Sequence, residues 1–227
     1  NKVVENILNG ATEPSDGLIQ MVTTLEDANT SITSNNNTVP FADKFRTIAD
    51  KALDPTAPVA EVIPSPWTQL NRYLKDGGIG SGQLVTIAAR TSVGKTVMAT
   101  NWAAHAASLG KKVMYISLEV DETDIIKRMV AYSNDIFLSD LSPTKASTND
   151  FAKEKIATAF DNISNWDVIV DDEPGLTLDK ITAKAYTKKK TDGLDVLFID
   201  YLGLISISGR SKREEMATLS RTFKILA

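Results

Sequence analysis

Short apolar runs rich in valine and isoleucine alternate with amphipathic segments over the later two thirds of the chain. The apolar runs are residues 83–89, 112–118, 166–172 and 194–200. The amphipathic segments, with apolar residues at helical spacing, are 95–109, 122–133, 150–163, 177–190 and 213–227. Buried strands that alternate with helices are typical of a parallel sheet with helices on both faces. The pattern therefore predicts an α/β fold.

The first 64 residues follow a different pattern. Residues 1–31 contain two short amphipathic segments and predict a small helical linker, followed by a polar connector up to residue 38. The helix predicted at 40–53 has an apolar face that we expect to point inward: Phe41, Phe45, Ile48, Ala49 and Ala52. Four of the eight prolines then fall within 53–66 and favour an extended connector. We therefore divide the chain into a linker at 1–38, a helix and proline-rich connector at 39–64, and a main domain at 65–227.

Composition restricts the classes of function. The chain has 227 residues, 42% of them hydrophobic, which is enough for a substantial core. It has no cysteine and one histidine, so disulfides and cysteine-bound metals are excluded. No apolar run reaches the ~20 residues of a membrane helix, and the first residues do not have the apolar segment of a secretory signal. We expect a cytoplasmic protein with no membrane association. Its net charge of −4 restricts any contact with nucleic acid to local basic patches.

The stretch LVTIAARTSVGKTVMATNWAAHAASLG, residues 84–110, joins an apolar run to a helical pattern through Gly94-Lys95-Thr96. A P-loop has this arrangement, because backbone N–H groups in the turn converge on phosphate, the lysine reaches the β- and γ-phosphates, and the hydroxyl binds magnesium. The residues that we predict to bind the nucleotide are Ser92, Val93, Gly94, Lys95, Thr96 and Val97. The alternative is an ordinary turn with a surface lysine. Ala89 stands where the P-loop pattern begins with glycine, a position that accepts alanine if φ is negative.

Asp200 ends the apolar run LDVLFID and has the form of a Walker B aspartate, which holds magnesium together with the P-loop hydroxyl. We therefore predict that Thr96 and Asp200 bind Mg²⁺. Asp171 and Asp172 end another apolar run in the same way and compete for this role. The four apolar residues before Asp200, and its distance along the chain from the P-loop, favour Asp200.

Glu119 follows the strand predicted at 112–118. In a parallel sheet, ligands bind beyond the carboxyl ends of the strands, where Lys95, Glu119 and Asp200 would all emerge. A glutamate there can orient the water that attacks a γ-phosphate. The alternative is that Glu119 is one of several acidic residues at the N-terminus of the helix at 122–133. The local sequence leaves both roles open.

Three basic residues follow the Asp200 strand in the stretch SISGRSKRE: Arg210, Lys212 and Arg213. We predict that they lie on a flexible Gly/Ser loop and contact the backbone phosphates of single-stranded DNA. The alternative is an exposed turn without a binding role.

Four stretches, in this order and spacing, resemble the C-terminal motor domain of the DnaB-type replicative DNA helicases. They are AARTSVGKT, SLEVDETDIIKRM, VDDEPGLTLDKITAKA and IDYLGLI. The preceding stretch PSPWTQLNRYLKDGGIGSGQLVTIAAR is similar to the segment that leads into the RecA-like ATPase core of that family. The resemblance covers residues 65–227 well and residues 1–31 loosely, as part of the helical linker. It implies a RecA-like P-loop ATPase core with a mostly parallel sheet.

The resemblance also bears on single residues. The family commonly has alanine at the position of Ala89, and its glutamate after the Ser-Leu pair is the catalytic base, which implies this role for Glu119. Thr91 stands where proline is usual, Val93 where methionine is usual, and Gly203 where the family has glutamine. In the family, Lys95 would contact the phosphates during catalysis.

The family's assembly implies partners and missing parts. Its members form hexameric rings on single-stranded DNA, with primase and a helicase loader as further partners. A strand with a polar sensor, DNA-contacting loops and an arginine finger follow the last helix matched here. We therefore expect the motor domain to be C-terminally incomplete and weakly active alone.

The resulting prediction is an ATP-dependent and Mg²⁺-dependent replicative DNA helicase, which moves along single-stranded DNA and unwinds the duplex. Two alternatives remain at this point. One is another RecA-like ATPase, for strand exchange or regulation, and the other is a non-catalytic helicase-like module that binds partners or nucleotide without turnover.

Overall fold

The computed structural model describes residues 40–54, 56, 61–146, 148–205 and 211–227. The chain divides into two units, residues 1–59 and 60–227. The helix described in the first unit, α1, spans Phe41–Leu53, close to the predicted range. None of its residues is buried, and Phe41 is 86% exposed, so the expectation that its apolar face points inward is wrong. A single helix of this length has no other described element in its unit to pack against. The predicted linker at 1–38 lies outside the described residues.

The second unit begins with a small antiparallel pair that the sequence did not predict. Strands β1 (Val62–Ile63) and β2 (Ile79–Gly80) flank the short helix α2 (Thr68–Asn71). A Cβ at Gly78 would lie 2.7 Å from the Ile63 carbonyl oxygen, so this turn requires glycine for close backbone approach. The proline-rich connector therefore passes into a folded turn before residue 66.

The main sheet has three parallel strands, β3 (Val113–Ser117), β4 (Val168–Asp171) and β5 (Val196–Asp200), in the order β4–β3–β5. Helix α3 (Lys95–Ser108) precedes β3 (Val113–Ser117), and α4 (Glu122–Ser133), α5 (Pro143–Ala146) and α6 (Asp150–Ile163) follow it. Strand β4 (Val168–Asp171), α7 (Leu178–Thr191), β5 (Val196–Asp200) and α8 (Lys212–Leu226) complete the order. Every residue of the central strand β3 is buried. The predicted α/β fold is confirmed.

The two faces of the sheet bury different side chains, because successive strand residues point in opposite directions. Val113 and Tyr115 pack with the alanines of α3 and with Ile125 and Met129 of α4. Met114 and Ile116 pack on the other face in a cluster with residues of α7 and α8: Ile181, Leu219 and Phe223. Helices therefore cover both faces, as predicted. No helix within the described residues is long and apolar enough to cross a membrane.

Residues 83–89 were predicted as the strand before the P-loop, and this prediction is wrong for the structure. The segment has no strand assignment, and its apolar residues Leu84, Val85 and Ile87 are more than one third exposed. A strand needs a neighbour to pair with its backbone groups. No strand within the described residues pairs with this segment.

Candidate functional site

The turn before α3 has the backbone of an anion-binding loop. Ser92 has φ of +63° and Gly94 has φ of +105°, so two residues of the turn are in the left-handed region. Nothing lies within 4 Å of a Cβ built at Gly94, which means that glycine serves the backbone conformation here rather than a close contact. Such turns aim successive N–H groups into one concave surface. The predicted phosphate-binding role of the turn requires a conformation of this kind.

Helix α3 begins at Lys95, directly after this turn. No side chain caps its N-terminus, so the first N–H groups have no partner within the helix. These donors and the helix dipole favour an anion at this end. Val93 and Val97 are exposed, whereas Gly94, Lys95 and Thr96 are half-buried. The predicted nucleotide-binding residues thus form one continuous surface of turn and first helical turn.

Asp200 ends β5 and is 5% exposed. The Tyr115 hydroxyl donates a hydrogen bond to its Oδ2 over 3.2 Å. Burial, and then the neighbouring Asp200 carboxylate, raise the pKa of Tyr115, so its hydroxyl stays protonated and remains a donor. Tyr115 orients the carboxylate from the adjacent strand. No pattern in the sequence marks Tyr115 for this role.

Lys95 links the P-loop turn to the end of β5. Its Nζ lies 4.8 Å from the centroid of the Tyr201 ring, within the range of a cation–π contact. Tyr201 directly follows Asp200. The structure therefore brings the predicted P-loop lysine into contact with the residue that follows the predicted Walker B aspartate, although 105 positions separate Lys95 from Asp200.

Glu119 lies two residues beyond Ser117, whose register partner on β5 is Asp200. It is exposed and lines a cleft of about 430 Å³ at the carboxyl ends of β3 and β4. Asp172 and Glu173 line the same cleft, but Lys95 and Asp200 do not. Glu119 therefore emerges at the sheet edge that the sequence predicted, facing solvent-filled space.

The carboxylates that competed with Asp200 are engaged elsewhere. Asp171 forms an ion pair with Lys184, and Asp172 accepts a hydrogen bond of 2.8 Å from the Glu122 backbone N–H at the start of α4. Glu173 pairs with Lys180 and Lys184, and these hydrogen bonds lower the pKa of Glu173 to about 2. Asp171 and Glu173 therefore have lysine partners, and Asp172 has a backbone donor.

The basic residues after β5 differ from the expected flexible loop. Lys212 and Arg213 belong to the first turn of α8, which Ser211 caps through a reciprocal capping box with Glu214. Lys212 donates to the Gly203 carbonyl oxygen and pairs with Glu215. The prediction that these two residues lie on a loop is wrong, because the cap starts a helix there. Both side chains are exposed, and Arg210 lies outside the described residues.

The donor set fits magnesium with a nucleotide. Within the described ranges, no group of three or more His, Asp or Glu side chains can hold a metal ion. Mg²⁺ is commonly held by one or two protein oxygens together with phosphate oxygens and water. The Thr96 hydroxyl, in the first turn of α3, and the Asp200 carboxylate, at the end of β5, could supply such oxygens.

The fold and site define a P-loop ATPase core of the RecA-like class. They combine a three-stranded parallel sheet, a left-handed glycine turn at the start of α3 and a buried aspartate at the end of β5. The family model described as the DnaB-like helicase C-terminal domain matches residues 63–227. The chain therefore belongs to the DnaB-like helicase C-terminal domain family.

Several relatives carry helicase names. The chain is 35% identical over 169 residues to the replicative DNA helicase DnaB of Geobacillus stearothermophilus, and 34% identical over the same length to the replicative DNA helicase DnaC of Bacillus subtilis. Each match covers 73% of this chain and 36% of the relative. The chain therefore spans about a third of the length of these relatives.

Solved structures show the same fold. The ATPase domain of G40P superposes with a TM-score of 0.69 at 26% identity, covering 82% of this chain and 66% of that one. A structure of a DnaB-like replicative helicase and its interactions with primase gives a TM-score of 0.71 at 23% identity, covering 99% of this chain and 52% of that one.

Proposed function

We propose that the chain is the ATPase motor of a replicative DNA helicase, which couples ATP hydrolysis to movement along single-stranded DNA. The observation that carries the proposal is the contact between Lys95, at the P-loop turn, and Tyr201, next to the buried Asp200. It supports the proposal because it brings the lysine proposed to bind phosphate to the residue that follows the aspartate proposed to bind the metal. The names of the relatives support the choice of DNA unwinding over other work that a RecA-like ATPase can do.

Each side chain has a role in this proposal. The N–H groups of residues 92–97 and the Lys95 ammonium hold the phosphates, and Thr96 and Asp200 hold Mg²⁺. Bound magnesium supplies neutralisation of phosphate charge. Glu119, at the carboxyl end of β3, orients and partly deprotonates the attacking water. Tyr115 keeps the Asp200 carboxylate in one orientation through its hydrogen bond.

The partners that we propose are single-stranded DNA, further copies of the chain in a hexameric ring, a primase and a helicase loader. Lys212 and Arg213 are exposed at the start of α8 and are candidates for contact with DNA phosphates. The exposed apolar side chains of α1, among them Phe41 and Phe45, suit contact with another subunit.

Nucleotide titration of the chain tests the site. We expect Lys95→Ala to weaken binding of a fluorescent ADP–Mg²⁺ complex strongly, because the ammonium is the cation of the phosphate site. Lys190→Ala, an exposed lysine in the last turn of α7, is the matched control and should bind as the wild type does. Equal affinity of the Lys95→Ala variant and the wild type would refute the assignment of the site.

Turnover tests the type of function. In phosphoryl-transfer systems an arginine finger accelerates hydrolysis by roughly 10³–10⁵, and in the resembled family this arginine acts on the nucleotide of the neighbouring subunit. We therefore expect binding with slow hydrolysis from the chain alone, well below about 1 s⁻¹. Loss of hydrolysis in Glu119→Gln, with nucleotide affinity retained, supports a catalytic base. Hydrolysis that does not depend on Glu119 would favour the alternative of a non-catalytic module with contaminating activity.

A further inference from the structure

The contact between Lys95 and Tyr201 depends on a third residue. A Cβ built on Gly203 would lie 2.6 Å from Cε2 of the Tyr201 ring and 3.1 Å from its Cδ2. Real Cβ atoms do not approach other atoms so closely, so any other side chain at 203 must displace the ring. The Tyr201 ring therefore packs directly against the backbone of Gly203.

The ring lies against Gly203 and near the Lys95 ammonium, whose Nζ is 4.8 Å from its centroid. Among the described residues Lys95 has no ion pair, so the aromatic ring is the group that holds its charged end. A lysine side chain is long and flexible, and a contact at its charged end restricts its rotamers.

The held orientation is one that serves the phosphate site. Tyr201 is the neighbour of Asp200, and Lys95 is the neighbour of Thr96, the two proposed magnesium ligands. Phosphates that share this metal must lie between the start of α3 and the end of β5. An ammonium kept beside residue 201 is therefore kept beside the phosphates.

We propose that Tyr201 is a positioning residue that holds Lys95 ready for the phosphates, and that Gly203 makes room for it. This inference rests on the proposed nucleotide site at residues 92–97. The aromatic face carries the effect and the phenol hydroxyl does not, because cation–π attraction comes from the ring quadrupole. An aromatic residue at 201 and a glycine at 203 are both needed.

Binding of a fluorescent ADP–Mg²⁺ complex to the full 227-residue chain provides the first measurement. A partly exposed cation–π contact favours the held orientation of the lysine over its other orientations by about two- to fivefold. Losing the contact can therefore lower the nucleotide affinity by no more than that factor. We expect Tyr201→Leu and Gly203→Ala each to weaken binding by about that factor, and Tyr201→Phe to bind as the wild type does. Tyr201→Leu and Gly203→Ala both remove the same contact between Lys95 and the Tyr201 ring. The double variant should therefore bind the nucleotide no more weakly than either single variant.

Lys95 must mediate the effect. In a Lys95→Ala background, Tyr201→Leu should leave the remaining affinity unchanged, since there is no ammonium to position. A loss of the same size in both backgrounds would overturn the proposal by showing that Tyr201 acts on the nucleotide or the fold directly. If Lys95→Ala itself binds as the wild type does, the nucleotide site fails rather than the positioning role.

A second measurement needs no nucleotide. In protein labelled with ¹³C-lysine, the ε-CH₂ resonance of Lys95, assigned by its absence from the Lys95→Ala spectrum, should be shifted upfield by the aromatic ring. The shift should persist in Tyr201→Phe and disappear in Tyr201→Leu and Gly203→Ala. An ordinary lysine shift for Lys95 in the wild type would refute the contact. The upfield shift should also persist when ADP–Mg²⁺ saturates the wild type. Its loss would show that the ring releases the lysine on nucleotide binding, and this result would also overturn the positioning role.

Discussion

Replacing Tyr115 by phenylalanine removes one oxygen from the centre of the sheet and tests the link between β3 and Asp200. The Tyr115 side chain is fully buried, and its hydroxyl donates to Asp200 Oδ2 at 3.2 Å. A hydrogen bond to a charged group contributes about 1.5–3 kcal/mol. The bond is longer than the usual ~2.7–2.8 Å for O–H···O, so we expect the lower end. The free energy of unfolding should fall by about 1.5 kcal/mol.

Urea unfolding followed by circular dichroism measures this loss. With an m-value near the upper end of the usual range, about 3 kcal/mol/M, the midpoint should fall by about 0.5 M. Tyr186→Phe is the matched control, because Tyr186 is 57% exposed and its hydroxyl has no hydrogen bond within the described residues. It should change stability by less than about 0.5 kcal/mol. An unchanged midpoint for Tyr115→Phe, or equal shifts for both variants, would refute the role of this hydrogen bond.

Two further predictions concern stability. Leu219→Ala should lower the free energy of unfolding in urea by about 2–5 kcal/mol, because Leu219 is fully buried in the cluster between the sheet and α8. The control Leu109→Ala changes a side chain that is 47% exposed and should lower it by less than about 1 kcal/mol. Similar losses for the two variants would contradict the packing. The pKa of Glu173 is lowered from 4.5 to about 2, and its hydrogen bond with Lys180 is the largest cause. The ionised Glu173 side chain therefore contributes fully to the free energy of unfolding above about pH 4.5, and this contribution is lost as the pH falls towards 2. The stability difference between wild type and Glu173→Gln should therefore shrink over that interval, and a constant difference would exclude the assignment.

The longer helices and the three strands of the main sheet were predictable because local signals mark them, whereas the short helices α2 and α5 were not predicted. Asp121, Asn149, Thr177 and Ser211 each cap the helix that follows, and such residues can be recognised in the sequence. The continuous apolar runs of β3 and β5 likewise mark strands that have neighbours on both faces. Residues 83–89 have the same apolar pattern, but they form no strand. Composition shows that a segment suits a sheet, whereas strand formation also needs a partner.

The aromatic residues of the site were not predictable from local sequence. Tyr115 looks like an ordinary core residue of β3, and Tyr201 looks like the start of a turn after the Walker B aspartate. Their roles depend on register, which places Ser117 opposite Asp200, and on the approach of α3 to the end of β5. The contact partners are 85 residues apart for Tyr115 and Asp200. The spacing of apolar residues along the chain does not predict contacts between residues so far apart in sequence.

The choice among the three strand-end aspartates shows what the structure adds to the site. The sequence offered Asp171, Asp172 and Asp200, and it favoured Asp200 by the apolar run before it and by its distance along the chain from the P-loop. Asp171 is paired with the Lys184 ammonium, and Asp172 is held by the first N–H group of α4, which carries the positive end of that helix dipole. Asp200 instead accepts its side-chain hydrogen bond from Tyr115, a neutral donor that orients the carboxylate without cancelling its charge. Within the described residues no lysine or arginine pairs with Asp200. This difference in partners supports the proposal that Asp200, rather than Asp171 or Asp172, holds the metal cation.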